Sequence, residues 1–310
     1  MQKFSIIFPG QGSQYLKMGL DLYEKDIYFK KIIDDASVIL NLNILDLLND
    51  NEKINKTKYS QILIFLISYS YFQKFINTYK VIPSIIAGHS LGELTALTSA
   101  GIISFKDALF ILKKRGELME EATLKSNGKM LAAININPKT LENMCNEIKL
   151  TGQYIDIANY NSKNQTVLSG EEEAILNIEK LIRNSNGVSV QLKVNGAFHS
   201  LLMEEASNKF KDFISSFTYF NPNIKVLSSV NNKFYSKENA EKILSKQMCN
   251  PVLWKNVVEN LITNNIELFI EVGPQNILSN LIKADYPNIK CISLERLFKE
   301  NENFWDYINH

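Results

Sequence analysis

The stretch Ile85-Ile86-Ala87-Gly88-His89-Ser90-Leu91-Gly92-Glu93 constrains this chain more than any other. A short apolar run stops at Gly88. Ser90 follows two residues on, Gly92 comes two later, and a helical pattern begins. This reads as strand, sharp turn and helix, with a serine at the tip. In such an elbow the serine backbone is strained, and small residues on either side let strand and helix pass closely. The hydroxyl is then exposed. The Leu91 backbone N–H and the positive end of the helix face the same space, which supplies half of an oxyanion hole. A chance Gly-x-Ser-x-Gly in a loop is the competing reading, and the strand-then-helix context weighs against it.

Around the elbow, apolar strands alternate with helices. Phe4–Phe8 reads as a buried strand, broken by Pro9-Gly10-Gln11-Gly12-Ser13-Gln14. That loop lacks the Gly-Lys-Ser/Thr ending of a phosphate loop and the spacing of a dinucleotide fingerprint. It offers the amide of Gln11 close to any ligand, or else it is a plain strand-to-helix turn. A helix over 58–79, apolar on most sides, reads as a core helix. Strands are expected over 81–87, 225–229, 268–272 and 290–294, so the sheet should be mostly parallel and covered on both faces. Residues 128–194 follow the order βαββαβ, that of a ferredoxin-like domain. The expected fold is α/β: an α/β-hydrolase-like parallel-sheet body from 1–127 and 196–310, with a ferredoxin-like insert at 128–195.

Composition excludes several classes. Thirty-four basic and thirty-three acidic residues leave a net charge of +1, so nothing draws the chain as a whole to nucleic acid or to a membrane surface. Cys145, Cys249 and Cys291 are odd in number and far apart, with no metal spacing and no disulfide framework. That usage fits a reducing cytoplasm. The first apolar stretch is too short for a signal peptide, and no run reaches the length of a membrane span. A cytoplasmic monomer is expected.

A serine nucleophile needs a base, and the chain holds three histidines, His89, His199 and His310. His310 is terminal and expected to fray. His89 adjoins the serine, but on a strained turn its side chain should point elsewhere. His199 lies on a glycine-containing loop after a strand, from which it can reach the elbow. No Asp or Glu suggests itself as the third member of a triad. A serine–histidine dyad, with the imidazole oriented by a neutral oxygen, is the expectation.

Arg115 sits on the helix that opens at Ser104. Gly116, which follows it, costs about 1 kcal/mol against alanine in mid-helix, so close packing beside the arginine is one reading. A buried guanidinium in an acyl site would pair bidentately with a carboxylate and would predict an acidic acyl group. A solvated basic face shared with Lys113 and Lys114 is the other reading.

Phe8-Pro9-Gly10-Gln11-Gly12-Ser13-Gln14, Gly88-His89-Ser90-Leu91-Gly92-Glu93, Arg115-Gly116-x-x-Met119, Gly196-Ala197-Phe198-His199-Ser200, Asn250-Pro251-Val252-x-Trp254 and Glu271-Val272-Gly273-Pro274 occur in this order. Together they resemble the malonyl-CoA:acyl-carrier-protein transacylases and the acyltransferase domains of polyketide synthases, over nearly the whole chain. The resemblance implies a ping-pong transfer. His199 would deprotonate Ser90, which attacks malonyl-CoA. The N–H groups of Leu91 and Gln11 would hold the oxyanion, and Arg115 would clamp the malonyl carboxylate. The phosphopantetheine thiol of an acyl carrier protein would then take the malonyl group.

The resemblance also implies an oxygen near Gln247 that orients His199, and a substrate-binding Asn161 on the insert. Phe198 goes with malonyl in this family, its ring filling the space an α-methyl would need. No bound cofactor and no metal are implied. Both fatty-acid synthesis and a discrete trans-acting polyketide role stay open. An acyl hydrolase of the same family is the rival activity, and Arg115 discriminates, since a neutral acyl chain has no use for a cation there.

Overall fold

The computed structural model describes residues 3–194 and 196–308. Within them the strands are β1 Phe4–Phe8, β2 Ile85–Gly88, β3 Gly128–Ile134, β4 Ile155–Tyr160, β5 Gln165–Glu171, β6 Val188–Gln191, β7 Lys225–Leu227, β8 Leu268–Glu271 and β9 Lys290–Ser293. They form two separate sheets: one parallel, in the order β7-β2-β1-β8-β9, and one antiparallel, in the order β4-β5-β3-β6.

Successive side chains of a strand point to opposite faces, and in the parallel sheet both faces are apolar. Phe4, Ile6 and Phe8 enter one core with the helices Thr57–Tyr79 and Phe105–Lys125. Ile7, Ala87 and Phe269 enter a second core with the helix Trp254–Thr263. This is why β2 reads as a continuous apolar run and β1 as one broken only by Ser5, whose buried hydroxyl donates to the Ile85 carbonyl at 2.8 Å. The strand expected from residue 81 begins only at Ile85, because Pro83 has no N–H to give to a ladder.

The antiparallel sheet has the expected βαββαβ element order. Leu131 and Ala133 pack on the helices Pro138–Lys149 and Glu172–Asn184. Met130, Ala132 and Val167, on the other face, belong to the body's core. The two connections of this unit lie side by side, since a Cβ on Gly128 would meet the Ala197 Cβ at 2.6 Å. A third tie is made by Val252. Its N–H donates to the Ala158 carbonyl at 2.8 Å, and its carbonyl accepts the Tyr160 N–H at 2.9 Å, beside a bulge in β4.

Candidate active site

Ser90 follows β2 and caps the helix Leu91–Ser99 with φ 52° and ψ −111°. The tightness of the turn is set by its glycines. A Cβ on Gly88 would fall 2.0 Å from the Gly92 carbonyl carbon, and one on Gly92 would fall 2.1 Å from the Phe8 oxygen. Only hydrogen fits at either position. The strain expected at the elbow is present.

His199 is the imidazole that meets the serine. The Ser90 hydroxyl donates to His199 Nε2 at 2.8 Å. His199 Nδ1 lies 2.9 Å from the Gln247 carbonyl oxygen and 3.1 Å from that of Asn250. Carbonyls only accept, so Nδ1 carries the proton and Nε2 is left as an acceptor. Burial, the Arg115 guanidinium and His89 together push the His199 pKa down to about 3, so the ring is neutral near pH 7. His89 points away, its Nε2 2.9 Å from Asn161 Oδ1 and 3.3 Å from the Asn159 amide nitrogen. Burial lowers its pKa as well. His310 lies outside the described residues.

Arg115 is fully buried, not on a solvated face. Gly116 explains how: a Cβ there would stand 2.7 Å from Lys58 Cα, so the two helices touch at this point. The guanidinium donates from Nε to Gln247 Oε1 at 3.1 Å, from one terminal nitrogen to Gln61 Oε1 at 2.7 Å, and from the other to Ser90 Oγ at 3.2 Å. Its remaining N–H groups have no acceptor, and no carboxylate pairs with it, among the described residues. Burial lowers its pKa to about 10, which leaves it cationic at neutral pH.

These groups open onto a cleft of about 570 Å³ between the two sheets. Gln11, Ser90, Leu91, Arg115, Phe198 and His199 line the body side. Met130, Ala132, Ile134, Val167 and Val190 line the other, from the helix-free face of the antiparallel sheet. Among the described residues neither the Gln11 nor the Leu91 backbone N–H has an acceptor. Asn161 reaches the cleft wall but spends its side chain on His89 and on Gln165 Oε1, 2.9 Å away.

Sequence reasoning missed two participants. Gln61 binds Arg115 from a helix read as plain core, and a glutamine followed by the apolar run Ile62–Ile67 was the available signal. Glu93 is a buried carboxylate in the first turn after Ser90, bonded to the Gln247 side chain at 2.6 Å.

A strained serine hydrogen-bonded to a neutral imidazole, at the carboxyl end of an inner strand of a parallel α/β sheet, is the apparatus of an enzyme that works through an acyl-serine. The chain belongs to the acyl transferase domain family, whose sequence profile matches residues 5–303. It is 31% identical over 317 residues to a malonyl CoA-acyl carrier protein transacylase of Bacillus subtilis (strain 168), covering 98% of this chain and 100% of the relative. It is 36% identical over 280 residues to the polyketide biosynthesis malonyl CoA-acyl carrier protein transacylase PksC of the same strain, covering 89% and 94% of the two chains. A malonyl-transacylase solved in complex with its type II PKS acyl-carrier protein superposes with a TM-score of 0.92 at 29% identity, over 97% of this chain and 100% of that one.

Proposed function

We propose that the chain transfers the malonyl group of malonyl-CoA, through an ester on Ser90, to the phosphopantetheine thiol of an acyl carrier protein, in fatty-acid synthesis or as a trans-acting polyketide enzyme. The observation that carries this reading is Arg115: a buried guanidinium, 3.2 Å from the Ser90 oxygen, without a carboxylate partner among the described residues. A buried charge is costly unless paired, and a substrate carboxylate completes the pair.

In the first half-reaction the Ser90 oxygen attacks the thioester carbonyl while its proton passes to His199 Nε2. The carbonyls of Gln247 and Asn250 steady the resulting imidazolium in place of a triad acid. The N–H groups of Gln11 and Leu91 receive the oxyanion. As the intermediate collapses, the C–S bond breaks and His199 returns the proton to the coenzyme A sulfur. In the second half the carrier's thiol gives its proton to the same nitrogen and attacks the ester carbonyl; the bond to the Ser90 oxygen then breaks, and His199 returns the proton to that oxygen. Arg115 keeps carboxylate and ester in register throughout. Phe198 bounds the space beside the α-carbon, and Asn161 borders the acyl site from the insert. Residues 1–127 and 196–310 act as an α/β-hydrolase-like body and 128–195 as a ferredoxin-like lid wall. The free cysteines fit a cytoplasmic protein, and a monomer suffices, since one chain supplies every group named.

Incubation with malonyl-CoA and intact-mass detection tests the reading. A malonyl adduct is expected on the wild type, absent from Ser90→Ala, and passed to a holo carrier protein on mixing. Release of free malonate with no carrier loading would instead mark a hydrolase.

A further inference from the structure

Glu93 has no task in the reaction described, yet it lies fully buried in the first turn of the helix after Ser90. Its Oε1 accepts the Ser229 N–H at 2.9 Å, and its Oε2 accepts the Gln247 side-chain N–H at 2.6 Å and the Ser229 hydroxyl at 3.3 Å. Every one of these neighbours is a donor, which is what a carboxylate requires. Burial pushes its pKa up, and these donors pull against that. Its charge is also the influence that opposes the burial of Arg115.

The link between them is Gln247. Its amide nitrogen donates to Glu93 and, at 2.9 Å, to the Ser90 carbonyl, while its amide oxygen accepts Arg115 Nε–H at 3.1 Å. Its backbone carbonyl holds His199 at 2.9 Å. Two acceptors on one side and a pure donor on the other permit a single orientation of that amide. Glu93 supplies the stronger of the two acceptors, since a carboxylate attracts an N–H more than a peptide oxygen does.

We propose that Glu93 is a positioning residue for acyl selection: by fixing which end of the Gln247 amide faces Arg115, it holds the guanidinium on the line to Ser90 and so to the carboxylate of an acidic acyl group. With glutamine at position 93 the charged acceptor is gone, and the Gln247 amide is held only by the Ser90 carbonyl and Arg115 Nε–H. Gln247 then grips Arg115 less firmly, and the guanidinium drifts from its line to Ser90. The acyl-serine chemistry itself needs no carboxylate at this position.

The inference rests on Arg115 being the malonyl clamp, so Glu93→Gln and Arg115→Ala are measured together. The readout is the rate of Ser90 acylation by malonyl-CoA and by acetyl-CoA. Glu93→Gln is expected to raise the KM for malonyl-CoA and to lower the malonyl-to-acetyl preference about tenfold, the scale of one hydrogen bond to a charged group. In a Gln247→Ala background, changing Glu93 is expected to have no further effect on the preference. An equal fall with both thioesters, or an independent effect in the Gln247→Ala background, means that Glu93 is merely structural and overturns the proposal. If Glu93→Gln does not fold, Glu93→Asp is read the same way. It keeps the buried charge but withdraws it from Gln247, and an unchanged preference overturns the proposal. Loss of preference in Arg115→Ala alone sinks the role of Glu93 and leaves the clamp standing. No loss in Arg115→Ala sinks both.

Discussion

Ser90 and His199 are joined by a 2.8 Å hydrogen bond, and both hold left-handed backbone, at φ 52° and 59°. Neither is glycine, and such conformations cost on the order of 1–3 kcal/mol each. The fold therefore gives up stability at the two residues joined by this hydrogen bond.

That strain is measurable at the nucleophile. Ser90→Ala removes the hydroxyl and keeps the strain, whereas Ser90→Gly removes both. Glycine's freedom in the unfolded chain offsets part of the gain. Chemical denaturation should still find Ser90→Gly more stable than Ser90→Ala by about 1 kcal/mol. Equal midpoints would show that no strain is stored there.

The depressed pKa of His199 has a consequence for acid stability. Its folded value, about 3, lies below its ordinary 6.5, so between these limits the unfolded chain binds a proton that the folded chain refuses. This contribution to stability is intact above the ordinary value and falls as pH drops through the window, by at most about 1.4 kcal/mol per pH unit. His199→Gln should flatten the decline, and parallel curves for the two proteins would refute the assignment. In NMR titrations Arg115→Gln should move the imidazole upward, because one cause of the shift is gone.

Gly116→Ala inverts a familiar rule. In an exposed mid-helix position alanine stabilises by about 1 kcal/mol. Here its Cβ would stand 2.7 Å from Lys58 Cα. Forcing the helices apart should destabilise by about 1–3 kcal/mol. It should also reduce malonyl loading, since Arg115 is the adjacent residue. A stabilised, fully active variant would disprove the contact.

Phe198 is 5% exposed, lines the cleft, and is packed so closely that a Cβ on Gly196 would meet its ring at 2.7 Å. Phe198→Ala should narrow the preference for malonyl-CoA over methylmalonyl-CoA by about tenfold or more, the scale of one methylene-sized difference. Competition between the two thioesters for Ser90 measures it. An unchanged ratio would place the α-methyl boundary on another residue.

Much of this was legible in the chain because it is local. The elbow declared itself through Gly88 and Gly92, whose spacing is a steric requirement. The element order βαββαβ of residues 128–191 was readable from the alternation of short apolar runs with helical stretches. Arg115 stood out through the odd glycine after it, although one sequence could not separate buried from solvated. What stayed hidden depends on distance along the chain. Glu93 looks like an ordinary acidic residue in a first helical turn, and its partners are 136 and 154 residues away. Gln247 sits three residues beyond the end of the short helix Ala240–Leu244. The irregular turn that follows turns the backbone carbonyls of Gln247 and Asn250 toward His199, and no side-chain pattern encodes a carbonyl's direction.

Val252 hydrogen-bonds to the backbone of residues 158 and 160, two positions beyond the Asn250 carbonyl that seats His199. The wall of the cleft and the angle of its imidazole are thus geared to one another. A chimera that imports residues 128–195 from a relative should inherit a new seat for Val252 and a retuned base along with it. Preference and turnover should then change together, and part only when the stretch from Gln247 to Val252 is transplanted as well.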